Sequence, residues 1–363
     1  MKKIIGMIAA AATIATSVFA ADVSANVKVD GSLFNFNADG NKINALTIKH
    51  NSEDWNPDMS FSVSGDQAGA SMKFWYGGDE TAAKAEGNKF NTVAGAYSIW
   101  FKPFDMLKVT VGQYGTNLNQ ETIDWSHTES GIDTQGYALD LDVSGFFATV
   151  FFAPGWQKSW FTTAENVDAT VNQLYAKLGY GADFGRVQGM FKLVDNNNIW
   201  FGAAYDNTFG SVKMFVNALA GIGTKTVKVG DEDVTPLFVR GEAFASTSFD
   251  ALGISAFIAG GYFGKADVGG LDGGAWRVAA KGYDGKHKDK VYLGATLKLT
   301  YSLGSITPYI YIKDANFLAE NFSMIIKPGV TGNLGAMSWE AAVEFTAQEK
   351  IVIDVPVSFT VSF

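Results

Sequence analysis

Through most of the chain, apolar and polar residues alternate with a period of two. QAGASMKFWYG sets Ala68, Ala70, Met72, Phe74 and Tyr76 against Ser71, Lys73 and Trp75, and MLKVTVGQYG sets Leu107, Val109 and Val111 against Lys108, Thr110 and Gly112. VYLGATLKLTYS repeats the pattern from Val291 to Tyr301, as do 137–143, 170–180, 184–194, 211–220, 235–246, 305–313 and 336–347. A period of two places alternate side chains on opposite faces of a strand, so each segment is predicted as β-structure with one apolar face. No segment carries a convincing 3.6-residue period and no shift in composition marks a domain boundary. The pattern predicts one long antiparallel meander.

The links between strands alternate in length. Tight turns are predicted at SGDQ (64–67), KPFD (102–105), VSG (143–145), GAD (181–183), NTFG (207–210), SFDALG (248–253), SLGS (302–305) and TGNLG (331–335). Between them lie mostly longer polar links at 51–58, 77–88, 114–135, 153–169, 221–234, 265–290 and 314–320, with two short ones, DNNN and QEK, in the same series. Short turns on one rim and long loops on the other describe an antiparallel transmembrane β-barrel, turns in the periplasm and loops outside. A soluble β-sandwich also alternates, but it favours shorter strands and has no consistent asymmetry between its ends. The segments here are about ten to thirteen residues long, as a tilted strand crossing the hydrocarbon layer requires. Aromatic pairs near segment ends, such as Trp100-Phe101, Phe146-Phe147, Phe151-Phe152 and Trp200-Phe201, are expected to form an interfacial girdle. From Ile43 onward 18 segments keep a consistent direction, within a range from 16 if doubtful pairs merge to 20 if the N-terminus is split. Residues 21–37 are left over, as an extra hairpin bent at Asp30-Gly31 or a periplasmic lead-in.

Composition narrows the function. Met1-Lys2-Lys3, an apolar run over residues 4–15 and small residues before Ala21 have the form of a secretory signal peptide spanning residues 1–20, leaving 21–363 as one barrel domain. Without Lys2 and Lys3 there are 26 basic and 37 acidic residues, a charge of −11 that excludes nucleic acid as a partner. There are no cysteines, so no disulfide or thiol chemistry operates. Glycine is high at 40 residues and proline low at 7, and no apolar run in residues 21–363 is long enough to cross a membrane as a helix.

The chain ends VPVSFTVSF, with Val355, Val357, Phe359, Val361 and Phe363 on one face. Together with the strand alternation and the turn-and-loop asymmetry, this resembles the outer-membrane porins of Gram-negative-type bacteria. The resemblance implies a passive channel for small hydrophilic solutes, held in outer-membrane lipid, folded by the barrel-assembly machinery that reads the terminal aromatic strand, and assembled as homotrimers. It implies no cofactor and no metal. Pro356 falls on the lumen-facing register without a ladder donor, which predicts a break or bulge in the closing seam.

Taking the less apolar register as lumen-facing, Lys177, Arg186, Lys192, Lys213 and Arg240 form a basic wall. The link 114–135 carries Glu121, Asp124, Glu129 and Asp133 and no Lys or Arg. In porins of this kind the third external loop folds inward, which here sets an acidic loop against the basic wall, and opposed charge rings set bore and ionic preference. The alternative keeps the loop outside and pairs the basic residues with inward acids such as Glu242, Glu340 and Glu344. Inward aromatics Trp75, Tyr175, Tyr309 and Tyr311 offer a second alternative, stacking platforms for an oligosaccharide-selective channel. Catalysis has little support: Ser126-His127 beside Asp124 cannot form a relay between adjacent residues, His50 and His287 lie far away, and no H-E-x-x-H spacing occurs. KGYDGKHKDK (281–290) and VGDEDVT (229–235) read as solvated loops without a full ligand set.

Overall fold

The computed structural model describes residues 22–37, 42–48, 58–76, 93–118, 132–154, 171–194, 198–265, 290–314, 317–318, 324–347 and 351–362. The expected signal peptide and Phe363 lie outside these. The chain forms β1 (Asp22–Asn37), β2 (Lys42–Ile48), β3 (Asp58–Ser64), β4 (Ala68–Tyr76), β5 (Val93–Phe104), β6 (Leu107–Thr116), β7 (Ile132–Val143) and β8 (Phe146–Pro154). It continues through β9 (Val171–Ala182), β10 (Gly185–Val194), β11 (Asn198–Phe209), β12 (Val212–Gly223), β13 (Val227–Val229), β14 (Glu232–Val234) and β15 (Leu237–Phe249). The last strands are β16 (Leu252–Phe263), β17 (Lys290–Tyr301), β18 (Ile306–Asp314), β19 (Met324–Leu334), β20 (Met337–Ala342), β21 (Glu344–Ala347) and β22 (Ile351–Ser362). No helix occurs among the described residues.

Twenty of these strands form one antiparallel sheet, closed where β22 pairs with β1. They occupy eighteen positions, because β2 and β3 both pair with one edge of β1, and β20 and β21 both lie along β22 between it and β19. Closure removes the two free edges that an open sheet would expose to lipid; among the described residues β2 is paired with β1 on one edge. β13 and β14 form a separate hairpin in the link between β12 and β15.

Tight turns at 65–67, 105–106, 144–145, 183–184, 210–211, 250–251, 302–305 and 335–336 share one rim, as expected. Val143-Ser144-Gly145-Phe146 shows why so few residues suffice: Ser144 and Gly145 both have positive φ, 49° and 85°. That geometry twists a two-residue turn in the same sense as its strands.

The N-terminus departs from expectation. Residues 22–37 are neither a hairpin nor a lead-in but the first barrel strand, paired with β22 on one side and with β3 and then β2 on the other. The segments 43–50 and 59–64, counted separately from the sequence, share one position, so the two departures cancel and the total remains 18. The seam carries the expected irregularity: Ser32 faces Pro356, but Asn35 faces Asp354, so β1 holds one extra residue there. A bulge absorbs the missing proline donor.

Outward positions are apolar and exposed across neighbouring strands, including Leu139, Val150, Leu178, Val187, Phe201 and Val239. In β22, Phe359 is exposed on this same face. The aromatic pairs do not all belong to a girdle. Phe101, Phe146, Phe152 and Phe201 point outward, whereas Phe151 and Trp200 are buried on the inner face and Phe147 and Trp100 share its register. Adjacent residues on a strand cannot face the same way, so each pair splits.

Several inward aromatic rings lie flat against the wall because a glycine stands opposite. Trp100 faces Gly69, Phe147 faces Gly179, Phe238 faces Gly221 and Tyr309 faces Gly329. A Cβ at Gly69 would come within 2.5 Å of the Trp100 indole nitrogen, and one at Gly329 within 2.5 Å of the Tyr309 ring. Part of the high glycine content therefore keeps large side chains out of the bore.

Candidate functional site

The inner surface has two unlike faces. From β6 to β16 it is rich in carbon: Phe151, Tyr175, Trp200, Phe215, Phe238 and Phe257 belong to one buried cluster together with several aliphatic residues. Phe151 and Tyr175 are 0 % exposed, so this wall does not face open water. On this side the inward polar and charged residues, such as Thr149, Gln188, Arg240 and Glu242, are therefore interspersed with a buried apolar cluster. From β20 through β22, β1, β3 and β4 to β5, the inward register instead carries Ser338, Ser358, Thr360, Ser24, Ser62 and Ser71 among its residues.

The link after β6 explains what covers the apolar wall. Leu118 and Ile132, at the two ends of residues 119–131, are both members of the buried cluster, 1 % and 6 % exposed. Leu118 sits over Gly202 of β11, five positions around the barrel from β6; a Cβ there would lie 2.7 Å from Leu118 Cδ1. Leaving such carbon against water costs about 25 cal/mol per Å², which favours seating the root of the loop inside. Two side chains fix it. Lys177 Nζ donates to Thr116 Oγ1 at 2.5 Å and to the Asn117 carbonyl at 3.3 Å, and Gln188 Nε2 donates to the Leu118 carbonyl at 2.8 Å. Below them Tyr114 and Thr149 both donate to Asp140 Oδ1.

The five basic residues all fall on the inward register, but they do not form an open charged surface. Lys177 holds the loop root. Arg186 donates to both Asp206 oxygens, at 3.0 and 3.2 Å, a fork-on-fork pair of the stronger kind. Lys192 lies 4.8 Å from the centre of the Trp200 ring. Arg240 is paired with Glu242 on the same strand, and both side chains are almost completely buried. Lys213 is exposed, in a recess of 570 Å³ near the turn rim that is also lined by Arg186, Asp206, Phe215 and Phe244. Phe215 and Phe244 stack there with centroids 5.7 Å apart. Pairing with inward acids, the alternative for these residues, describes Arg186 and Arg240, although Asp206 was not among the acids named from the sequence. On the other wall Lys327 pairs with Glu340 at 3.0 Å.

The acidic residues of the loop are harder to place. Glu121, Asp124 and Glu129 lie outside the described residues, as do Ser126 and His127; of Asp133 only the backbone is described, opposite Gly115. Among the aromatics, the Trp75 side chain lies outside the described set. Tyr175 is buried within the apolar cluster and offers no stacking face. Tyr309 is laid over Gly329, donates to Glu340 and carries Lys298 over its ring at 4.9 Å. Tyr311 is inward and partly buried, opposite Lys298 and Lys327. Trp100, missed from sequence because it was assigned to the girdle, is inward with Lys108 and Lys102 at 5.3 and 5.9 Å from its ring. Its register relative to Ser98 would have found it.

No family model matches the sequence, and no curated protein does. Solved structures share its fold. OpdK of Pseudomonas aeruginosa, an outer-membrane protein, superposes with a TM-score of 0.57 at 8 % identity over 94 % of this chain and 98 % of that one. OccAB4 of Acinetobacter baumannii gives 0.57 at 8 % identity, over 94 % and 98 %. A BenF-like porin from Pseudomonas fluorescens gives 0.55 at 10 % identity, over 94 % and 99 %. At such identities the likeness is one of fold: a closed, 18-strand antiparallel barrel that spans the full length of those chains.

Proposed function

We propose that this protein is a passive channel of a bacterial outer membrane, carrying small hydrophilic solutes and ions down their gradients. The observation that carries the reading is the pairing of two surfaces on one closed wall. The outer surface is apolar across neighbouring strands. The inner surface keeps a face of short hydroxyl side chains, beside a loop root seated against the opposite side. A barrel that only needed to be filled would carry carbon all the way round. The fold shared with OpdK and the BenF-like porin supports the same reading.

The acidic loop residues Glu121, Asp124, Glu129 and Asp133 would then stand near the narrowest section, since both ends of their loop are seated inside. Insertion through the terminal strand, Val355 to Phe363, and assembly as homotrimers in outer-membrane lipid belong to the reading as well. No bond-making step is required of any residue.

The test is conductance of the refolded full chain in a planar lipid bilayer. Discrete, ohmic steps are expected. A barrel that folds, judged by its resistance to protease and its heat-shifted mobility on a gel, yet gives no steps would overturn the reading. Neutralising the four loop acids together is expected to move cation/anion permeability toward anions.

A further inference from the structure

One row of the hydroxyl face is continuous across the sheet. Ser24 pairs with Ser62, Ser62 with Ser71, Ser71 with Ser98, and the row then runs on through Gly112 and Gly136. All six share the inward register, fixed at one end by Ala138 and Phe151, which are fully buried inside, and at the other by Val23, which is exposed outside. These are among the smallest side chains a wall can carry, and they lie side by side, about 4.8 Å apart from strand to strand. Ser24 and Ser62 are hydrogen-bonded through their hydroxyls at 2.7 Å. No charge interrupts the row.

The opposite side of the lumen is already filled. Leu118 and Ile132 lie in the cluster with Phe151, Tyr175, Trp200 and Leu219, and Lys177 and Gln188 hold the loop root there. The space left to a solute lies against β1, β3, β4 and β5.

We propose that solute crosses this barrel off-axis, along the hydroxyl wall, and that the Ser24–Ser62–Ser71–Ser98 row binds uncharged polyhydroxy solutes of the carbohydrate type. This rests on the channel reading above. A hydroxyl both donates and accepts and rotates to suit its partner, so a row of them exchanges hydrogen bonds with a polyol as water does. An ion finds no counter-charge in the row, and an apolar solute gains nothing from it. Of the aromatic platforms expected for a sugar channel, Tyr175 is buried in the apolar cluster and Tyr309 is held between Glu340 and Lys298, so the row is assigned recognition by hydroxyls.

The chain has no cysteine, which makes single-cysteine variants clean reporters. Ser62→Cys, Ser71→Cys and, on β15 across the barrel, the partly exposed inward Ser246→Cys are each refolded, inserted into bilayers and treated with a membrane-impermeant cationic thiosulfonate. Current is expected to fall on modification at Ser62 and Ser71 and to change little at Ser246. A fall in current at Ser246 with none at Ser71 would overturn the off-axis path. The solute class is tested separately with Ser62→Ala/Ser71→Ala, using sucrose as the neutral probe and benzoate as the anionic one. Block of ion current by sucrose is expected to weaken roughly tenfold, a loss of about 1.4 kcal/mol, with block by benzoate unchanged. Equal sucrose block in the double variant and the unmodified chain would reject the hydroxyl row as a binding surface. Absence of conductance in every chain, the unmodified one included, would instead reject the channel reading.

Discussion

Gln188 of β10 donates its side-chain amide to the backbone carbonyl of Leu118 at 2.8 Å, joining positions 70 residues apart. The bond is buried, and it ties the root of an inserted loop to a wall that β6 does not adjoin. Gln188→Met removes the donor and leaves that carbonyl short of a partner, at a cost of about 1–3 kcal/mol. The cost falls on the loop root and on Asp206, whose Oδ1 accepts from the same amide at 3.1 Å, because the barrel ladders do not pass through these bonds. Single-channel recordings of this variant are therefore expected to show a larger mean conductance and more open-state noise. Adding Lys177→Met should increase both effects. Traces identical to the unmodified channel would mean that the root does not limit the bore.

Arg240 and Glu242 form an ion pair almost devoid of solvent. Removing one charge leaves the other without its counter-ion, although Glu242 still accepts from Asn217 at 2.8 Å; such a loss typically costs about 3–5 kcal/mol, whereas replacing both with apolar residues is often neutral or stabilising. Arg240→Met is expected to lower the urea concentration at which the barrel unfolds in lipid vesicles. Arg240→Met/Glu242→Leu should recover most of that loss. A double variant as weak as the single one would assign the pair a role beyond mutual neutralisation.

The two faces of the wall respond differently to charge. Val150 is exposed on the outer face opposite Leu139, mid-strand in β8. Val150→Arg places a guanidinium in hydrocarbon and should cost about 2–4 kcal/mol near the bilayer midplane. Ser71→Arg, on the lumen side, should fold like the unmodified chain and lower conductance instead. Urea titration in vesicles, run beside conductance, separates the two outcomes.

Lys213 is the basic residue of the five that stands exposed, at the mouth of the recess holding the Arg186–Asp206 pair. Lys213→Glu changes the charge there by two units and sets a second carboxylate near Asp206. Charged rings tune which ion enters a pore. The reversal potential under a salt gradient is expected to move toward cation preference, whereas Lys192→Met, at a buried lysine over Trp200, should move it less. The reverse ranking would place the selecting charge at Lys192.

Much of the wall was legible in the sequence, because a period of two survives wherever one face meets lipid. The turns, the outward register and the irregular seam at Pro356 all follow from local chemistry. A pair such as Phe151-Phe152 looks like an aromatic belt until the strand's own alternation is applied, which sends Phe151 inside; the other failures depended on neighbours distant in sequence. The apolar inner wall was hidden because an inserted loop root, Leu118, covers it from the far side of β6–β11, and no local pattern announces such a contact. The charge on Arg186 looked available for the pore because its partner, Asp206, becomes a neighbour only through strand pairing, whereas Glu242, two residues from Arg240, was already legible as an inward acid.

Gly329 and Tyr309 face each other across β18 and β19, and the phenol lies where a side chain at 329 would be. Tyr309 is held there from three sides: it donates to Glu340, it carries Lys298 over its ring at 4.9 Å, and the wall behind it is bare. Gly329→Val fills that space, so the ring must leave the wall and turn into the lumen. Overpacking of this kind costs about 1–3 kcal/mol, well short of what would unfold a closed ladder. The expected result is a folded barrel with reduced conductance. Tyr309→Phe serves as the contrast: it removes only the hydroxyl, leaves the ring flat and should not narrow the bore. Gly329→Val/Tyr309→Ala removes the displaced ring and should restore the current. If the double variant stays as narrow as Gly329→Val alone, the glycine is not there to keep the ring out of the path.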